Sequence, residues 1–341
     1  ALHIDKKKIE KFRSYRVEAD IYTADDMFSL EPAVDLEVPE GALCELYVNG
    51  QLELTGISDK IDEFCDKKGR KLTIEGRDLM GLLVDSYVEE FITTELNLKE
   101  LAEKLLKNVP FINRKAVVYQ AGVVGESSRQ TVEKGLFGGE AEPVQIEPGQ
   151  TIFEVLKDKA ISRGVIFWAK ADGTPVFGRP KAKGKPLYRL VRRLDGVGNN
   201  VLEGRRIRDI SKRYSTIRVT GSSQGTDELA PDRVAREAVV TDETVPFRKP
   251  YVLYDDNITR DPADQARLIL ERQRAQGLQL IYKVARHSQN GKNWMINELC
   301  EIEDEALNVH GTYLIYGRSY ELNKKDGKIT VLKLGLPGLI R

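Results

Sequence analysis

Cys44-Glu45-Leu46-Tyr47-Val48-Asn49-Gly50-Gln51-Leu52-Glu53-Leu54 is the stretch that decides the fold class. Cys44, Leu46 and Val48 recur every second residue, the period of a strand with one buried face. Asn49-Gly50 is the residue pair that a tight hairpin turn demands, and Leu52 and Leu54 resume the alternation beyond it. Upstream, Tyr15, Val17, Ala19 and Ile21 alternate with Arg16, Glu18 and Asp20. Downstream, a strand runs to about Phe64 and Asp66-Lys67-Lys68-Gly69 makes the next turn. Leu72 and Ile74 then return before a short helical stretch around Leu79 to Val84. The first 85 or so residues therefore read as a small antiparallel sheet or barrel closed by a helical turn.

The far end repeats the device. Asn323-Lys324-Lys325-Asp326-Gly327-Lys328-Ile329-Thr330-Val331 runs parallel to Asp66-Lys67-Lys68-Gly69-Arg70-Lys71-Leu72-Thr73-Ile74, each after a strand of similar length. Lys/Gly hairpins are common for local reasons, so chance likeness competes with duplication. Tyr313 to Tyr316, Tyr320 to Leu322 and Ile329 to Leu334 form the closing strands. Between the ends the texture is mixed. Asn97 with Glu100, and Thr151 with Glu154, are capping-box starts for helices that Pro110 and Gly164 end. Val165 to Ala169, the turn Asp172-Gly173 and Pro175 to Gly178 make a hairpin. Gln120 to Gln150, rich in Gly, Glu and Ser, reads as a long exposed loop. Lys181, Lys183 and Lys185 read as a linker, Ile217 and Val219 as a short strand. Asp261 as N-cap, Pro262 and Gly277 bracket another helix.

The 341 residues carry 53 basic and 53 acidic side chains. The zero sum hides a segregation. From Glu18 to Asp66 there are 14 acids against Lys60 alone, a net of −13; from Arg179 to Arg218 there are 13 basic residues against three acids, a net of +10. Two solvated faces of opposite sign, or two surfaces that attract each other within or between copies, both fit. Cys44, Cys65 and Cys300 form no CxxC pair, so a reducing compartment fits and folding needs no disulfide. No apolar run approaches the ~20 residues of a membrane span, and Ala1 to Lys11 is charged, unlike a signal sequence.

Chemistry is sparse. Gly221-Ser222-Ser223-Gln224-Gly225 matches the nucleophile-elbow pattern, with Ser223 as nucleophile, but Thr226 to Pro231 supplies no apolar helical face after it. His3, His287 and His310 are isolated from one another and read as surface or packing residues. Glu301, Glu303, Asp304 and Glu305 could suggest metal or glycosidase carboxylates, yet they lack the interleaving of a calcium loop. Gly196-Val197-Gly198 lacks the third glycine of a dinucleotide site. No cofactor, metal or catalytic residue is expected. Arg205, Arg206, Arg208, Lys212 and Arg213 form a basic cluster of the kind that binds phosphate backbones, but only Tyr214 offers a stacking aromatic nearby. An acidic protein surface such as Asp59, Asp62 and Glu63 is a partner of the right sign.

Phe12 to Leu30, Val48 to Asp85, Asn97 to Leu106 and Gly149 to Pro180 together resemble the baseplate hub, or late-control-type tail protein, of contractile-tail, Mu-like phages and prophages. The resemblance implies an α+β, multidomain chain with two related small antiparallel β-barrel-like domains and α/β domain material between them. It places the first tube domain at 1–90, an α/β middle domain at 91–180, the second tube domain at 181–235 plus 278–341, and a helical insertion at 236–277. It implies a homotrimer in which the two related domains alternate around a ring, joining the tail tube to the central spike and lining a channel for DNA in transit. The expected location is the virion tail baseplate, assembled in the bacterial host cytoplasm. Measured against that family, the expectation is that an N-terminal arm is missing and that no lysozyme-like module is fused. A serine or carboxylate hydrolase acting on the cell wall, or a basic-patch nucleic-acid-binding protein, remain the alternatives.

Overall fold

In the computed structural model, residues 1–4, 7–33, 36–67, 69–120, 142–222, 235–255 and 262–340 are described. The chain divides into a larger unit, 1–205 with 281–338, and a smaller one, 206–280 with 339–341.

The larger unit opens with β1 (Leu2–Ile4) and β2 (Lys7–Ile9), which pair with each other and bury Leu2, Ile4 and Ile9 in a segment whose lysines mask the alternation. Then come β3 (Phe12–Asp20), β4 (Met27–Pro32), β5 (Leu43–Val48), β6 (Gln51–Asp66), β7 (Gly69–Asp78) and α1 (Met80–Asp85). Asn49 and Gly50 take φ of 50° and 80° between β5 and β6, the left-handed pair of a type I′ hairpin, whose twist matches that of the strands it joins. Cys44, Leu46, Val48 and Leu54 are buried as the alternation requires. Gly56 and Gly76 sit where β6 and β7 cross closely. A Cβ on Gly76 would lie 2.0 Å from the Ile57 carbonyl oxygen, and one on Gly56 the same distance from that of Arg77, so no side chain fits at either.

β8 (Ile92–Leu96), α2 (Leu98–Leu105), β9 (Val118–Gln120), β10 (Glu142–Ile146), α3 (Ile152–Ser162), β11 (Ile166–Ala169) and β12 (Pro175–Gly178) follow. Both capping boxes are complete: Asn97 and Thr151 accept from the backbone N–H of Glu100 and Glu154, whose carboxylates reach back. Gly164, at φ 70°, lets the chain leave α3. The helices bury Leu98, Leu101, Leu156 and Ala160 against Phe167 and Phe177 in one core. The expected loop from Gln120 to Gln150 is corrected in part. Glu142–Ile146 is a strand that pairs antiparallel with β8, Ile146 opposite Ile92, and Val144 and Ile146 are buried. Two apolar side chains sufficed because one face alone is covered. Residues 121–141 lie outside the described residues.

β13 (Tyr188–Arg192) and β14 (Val201–Arg208) lead to the smaller unit, where β15 (Thr216–Ser222), β16 (Ala235–Thr241) and β17 (Pro250–Asp255) form a sheet of order β16-β15-β17 beside α4 (Pro262–Gly277). Ile217, Val219 and Ala266 form its buried centre, with Tyr251, Leu253, Ile269 and Leu270 around them. Asp261, the expected N-cap, lies outside the described residues. Asp242 is buried at 1% exposure. It accepts from Arg213 Nη2 at 2.7 Å, Arg274 Nη2 at 3.0 Å and Thr244 Oγ1 at 2.6 Å. Burial alone would raise this carboxyl; the bonds from Arg274, Arg213 and Thr244 outweigh it and hold Asp242 well below the usual carboxylate range. Asp242→Ala is expected to destabilise the smaller unit by about 1–3 kcal/mol, since both arginines are left without their acceptor but can turn towards water. Hydrogen exchange of β15 and β16 compared with β6 and β7 checks it.

The chain closes with β18 (Leu278–Ala285), β19 (Ser288–Gln289), β20 (Lys292–Asn293), β21 (Glu298–Asp304), β22 (Val309–Asn323) and β23 (Gly327–Gly335). Tyr313 to Tyr316 and Tyr320 to Leu322, expected as separate strands, belong to the single strand β22. A register shift between Ile315 and Gly317 in its pairing with β23 interrupts the alternation and hides the continuity. The strand order β14-β18-β23-β22-β3-β4-β7-β6-β5-β1-β2 is an open path, and no sheet closes on itself among the described residues.

Candidate functional site

The two hairpins that resemble each other in sequence lie in this one sheet. β22 pairs antiparallel with β3 from Gly317 opposite Asp20 to Leu322 opposite Tyr15, which joins the N-terminal and C-terminal strand modules edge to edge. Both hairpins have a long first strand, 16 residues in β6 and 15 in β22, and each pairing carries one irregularity, at Ser58/Lys60 and at Ile315/Gly317. The match of letters is displaced by one position from the match of burial. Counting from the turn glycines, Leu72 and Ile74 correspond to Thr330 and Leu332, all at 5% exposure or less. The first turn closes Asp66 on Gly69 and the second closes Asn323 on Gly327, so the second is one residue longer.

Buried polar groups fasten the junction of the modules. Glu53 of β6 and Arg318 of β22, 8% and 5% exposed, meet at 2.5 Å between Oε2 and Nη2. Asn293 Nδ2 donates to Glu53 Oε1 at 2.5 Å and to the Val48 carbonyl at 2.8 Å, and Asn49 Nδ2 donates to Asn293 Oδ1 at 2.8 Å. The Asn49-Gly50 hairpin turn is thus held by a residue 244 positions away. The Arg318 guanidinium lies over the Tyr320 ring at 4.0 Å, while its Nε and Nη1 are buried with no hydrogen-bond partner among the described residues. Burial pushes the Glu53 carboxyl up, against the pull of Arg318 and Asn293. Nothing in the sequence marked Glu53 or Arg318, because a lone Glu in an alternating strand reads as solvent-facing. Asp26 and Asp78 are a second buried acidic pair. Burial and then the Asp78 charge raise Asp26 well above its ordinary range, and burial first pushes Asp78 up to about 7. They serve local structure: Asp26 Oδ1 accepts from the Asp20 N–H at 2.8 Å and Asp78 Oδ1 from the Met80 N–H at 3.1 Å.

Part of the segregated charge is neutralised inside the chain. β13 runs parallel to β21. Arg189 and Arg193 engage Glu303, at 2.7 and 2.6 Å, and Arg192 engages Asp304 at 3.0 Å. Glu301 lies 3.6 Å from Arg189, and Glu305 accepts from the Leu194 N–H at 2.7 Å. The acidic cluster thus has structural partners throughout. Lys181, read as linker, bonds Glu298 at 2.6 Å. His287 is buried, with Nε2 2.7 Å from the Tyr15 hydroxyl and Nδ1 3.1 Å from Thr330 Oγ1, whereas His3 is half-buried and His310 exposed. Ser223 and the rest of Ser223-Gln224-Gly225 lie outside the described residues.

The proposed contact residues separate by the same test. Arg213 is taken by Asp242, Asp59 by Arg77 at 2.8 Å, and Glu63 by Arg70 at 2.6 Å. Asp62, Arg205, Arg208 and Lys212 are exposed, and Arg206 is half-buried. Asp62 stands on β6, and Arg205, Arg206 and Arg208 stand together on β14.

Residues 1–78 match the family described as Mu phage baseplate assembly protein GpP-like, N-terminal. The chain is 24% identical over 318 residues, 90% of its own length and 78% of the relative's, to baseplate hub protein gp44 of Escherichia phage Mu. Its fold matches the tail protein from Neisseria meningitidis MC58 with a TM-score of 0.82 at 24% identity, covering 98% of this chain and 95% of that one. It also matches the 43 kDa tail protein of prophage MuSo2 from Shewanella oneidensis with a TM-score of 0.79 at 20% identity, over 99% and 97% of the two chains. The chain is thus similar in sequence to a phage baseplate hub protein and in fold to phage and prophage tail proteins. Its first 78 residues are similar to the GpP-like N-terminal family, and the similarity to the Mu baseplate hub protein extends over 90% of the chain.

Proposed function

We propose that three copies of this chain form the hub ring of a contractile-tail baseplate, with the two strand modules of each copy alternating around the axis. The observation that carries the ring is the pairing of β22 with β3, which sets two similar long hairpins into one sheet within a single chain. Three such sheets, each an open path, complete a barrel-like wall only in company. On this reading the modules are the tube domains, 1–90 and the strands drawn from 181–235 and 278–341; 91–180 is the α/β middle domain and 236–277 the helical insertion. The ring joins the tail tube to the central spike, leaves a passage for DNA without reading its sequence, and belongs to the virion tail, assembled in the host cytoplasm. The acidic residues Asp59, Asp62 and Glu63 of one copy face the basic residues Arg205, Arg206, Arg208, Lys212 and Arg213 of the next.

Sedimentation at ~50 mM and ~500 mM salt tests this, the Debye length falling from about 14 to about 4 Å between them. A trimer at low salt that loosens at high salt is expected. A trimer indifferent to salt would remove the electrostatic contact, and a monomer at every concentration would remove the ring.

A further inference from the structure

The distal half of β6 is an open edge. β5 accompanies β6 only as far as Leu43 opposite Ile57, and Ser58 is closed by backbone bonds to Gly41 and Ala42. From Lys60 to Asp66 the strand pairs with β7 on one side, Asp59 being the bulged residue before it, and among the described residues no further backbone bond reaches Asp59–Asp66 on the other. β14 stands at the opposite end of the same strand path, paired with β18 alone among the described residues. Long open edges are templates for a further strand and are ordinarily blunted by charge or a bulge. Here the two edges carry opposite charge. Asp59, Asp62 and Glu63 stand on one, Arg205, Arg206 and Arg208 on the other. The side chains of Asp62, Arg205 and Arg208 have no partner among the described residues of their own chain.

We propose that the edge Asp59–Asp66 of one copy pairs antiparallel with the edge Val201–Arg208 of a second copy, so that the sheet runs on from chain to chain. The inference rests on the hub-ring reading and supplies its contact. Charge selects the register. With Arg205 opposite Asp62, Arg208 falls opposite Asp59, and Arg206 is diagonal to Glu63 on the same face, within reach of long side chains. No like charges stand directly opposite in this register. Phe64, 57% exposed, falls between Val201 and Arg205, where the guanidinium and its stem can cover the ring. Leu202, 55% exposed, falls opposite Cys65. Because the two patches differ, the contact is head to tail, and it closes into a ring when the rotation per copy allows.

Cys65 makes the register measurable. It is the exposed cysteine among three free ones, Cys44 and Cys300 being buried. Facing residues of an antiparallel pair are within disulfide distance, whereas the next residue along points to the other face. The full chain carrying Leu202→Cys, oxidised with diamide under native conditions, is expected to yield covalent chain-to-chain products that vanish when Cys65→Ser is added. Glu203→Cys is expected to yield at least tenfold less. Asp62→Arg alone should lower the Leu202→Cys yield at least tenfold, and Asp62→Arg with Arg205→Asp should restore it. A wild-type chain that assembles, with no cross-link at 202 and no effect of charge reversal, overturns the edge pairing and leaves the hub ring standing. A wild-type chain that stays monomeric at every concentration overturns the ring and the edge with it.

Discussion

Arg318→Leu is expected to destabilise the larger unit by about 3–5 kcal/mol, the range for removing one partner of a buried ion pair. The loss exceeds that of a hydrogen bond because Glu53 remains, 8% exposed, with only Asn293 to satisfy it. Part of the cost is returned by protonating Glu53, whose carboxyl burial already pushes up. The variant should therefore recover some stability as the pH is lowered. Glu53→Met combined with Arg318→Met is expected to lie within about 1–2 kcal/mol of the wild type, since apolar side chains of similar volume need no desolvation of charge. Urea unfolding of Glu53→Met, Arg318→Met and the double variant checks this as a cycle; a double change that costs the sum of the two single changes would show that the charges do not act as a pair.

The second large effect is acid lability through His287. Burial, reinforced by Lys328 and Arg318, lowers the His287 imidazole from 6.5 to about 4. A histidine that is less basic in the folded state binds fewer protons there than in the unfolded chain. Its contribution is intact above about pH 6.5 and is lost as the pH falls towards 4, by about 3 kcal/mol in all. Asp26, Asp78 and Glu53, all raised by burial, act with the opposite sign over part of that window, so the wild-type profile alone will not isolate the histidine. His287→Phe removes the titration, at the cost of the contacts to Tyr15 and Thr330. Its deficit relative to wild type should shrink by about 3 kcal/mol between pH 7 and pH 4. A deficit constant across that range would mean that His287 does not titrate as its burial demands.

Both effects sit where the modules meet, and a hub built this way has a mechanical consequence. Tyr15 belongs to β3, Thr330 to β23, Glu53 to β6 and Arg318 to β22. The Tyr15–His287 and Glu53–Arg318 bonds each cross from one strand module to the other, so the two hairpins move as one body. That fixity favours the edge contact between copies, because little ordering remains to be done on association.

The strands of the two hairpins, the Asn49-Gly50 turn, both capping boxes and the helix bracketed by Pro262 and Gly277 were determined by the sequence itself. Each is a local matter: a period of two, a positive φ that Asn and Gly tolerate, an N-cap oxygen three residues from its donor. The likeness of the two end modules was also legible there, through their Lys-Gly turns. Only the tertiary structure decided the rest. β10 carries two buried apolar residues, too few for a periodic signal. β13 is hidden under basic residues because its partner strand β21 is acidic, and pair neutralisation across a sheet leaves no mark within either strand alone. Glu53, Arg318, Asp26, Asp78 and Asp242 look like surface residues in a one-dimensional reading, since burial depends on what arrives from elsewhere in the chain. Arg213, Asp59 and Glu63 looked available for a partner and have one at home, whereas Asp62, Arg205 and Arg208 have none among the described residues. Charge can be counted along a sequence; which charges are already answered is a property of the fold.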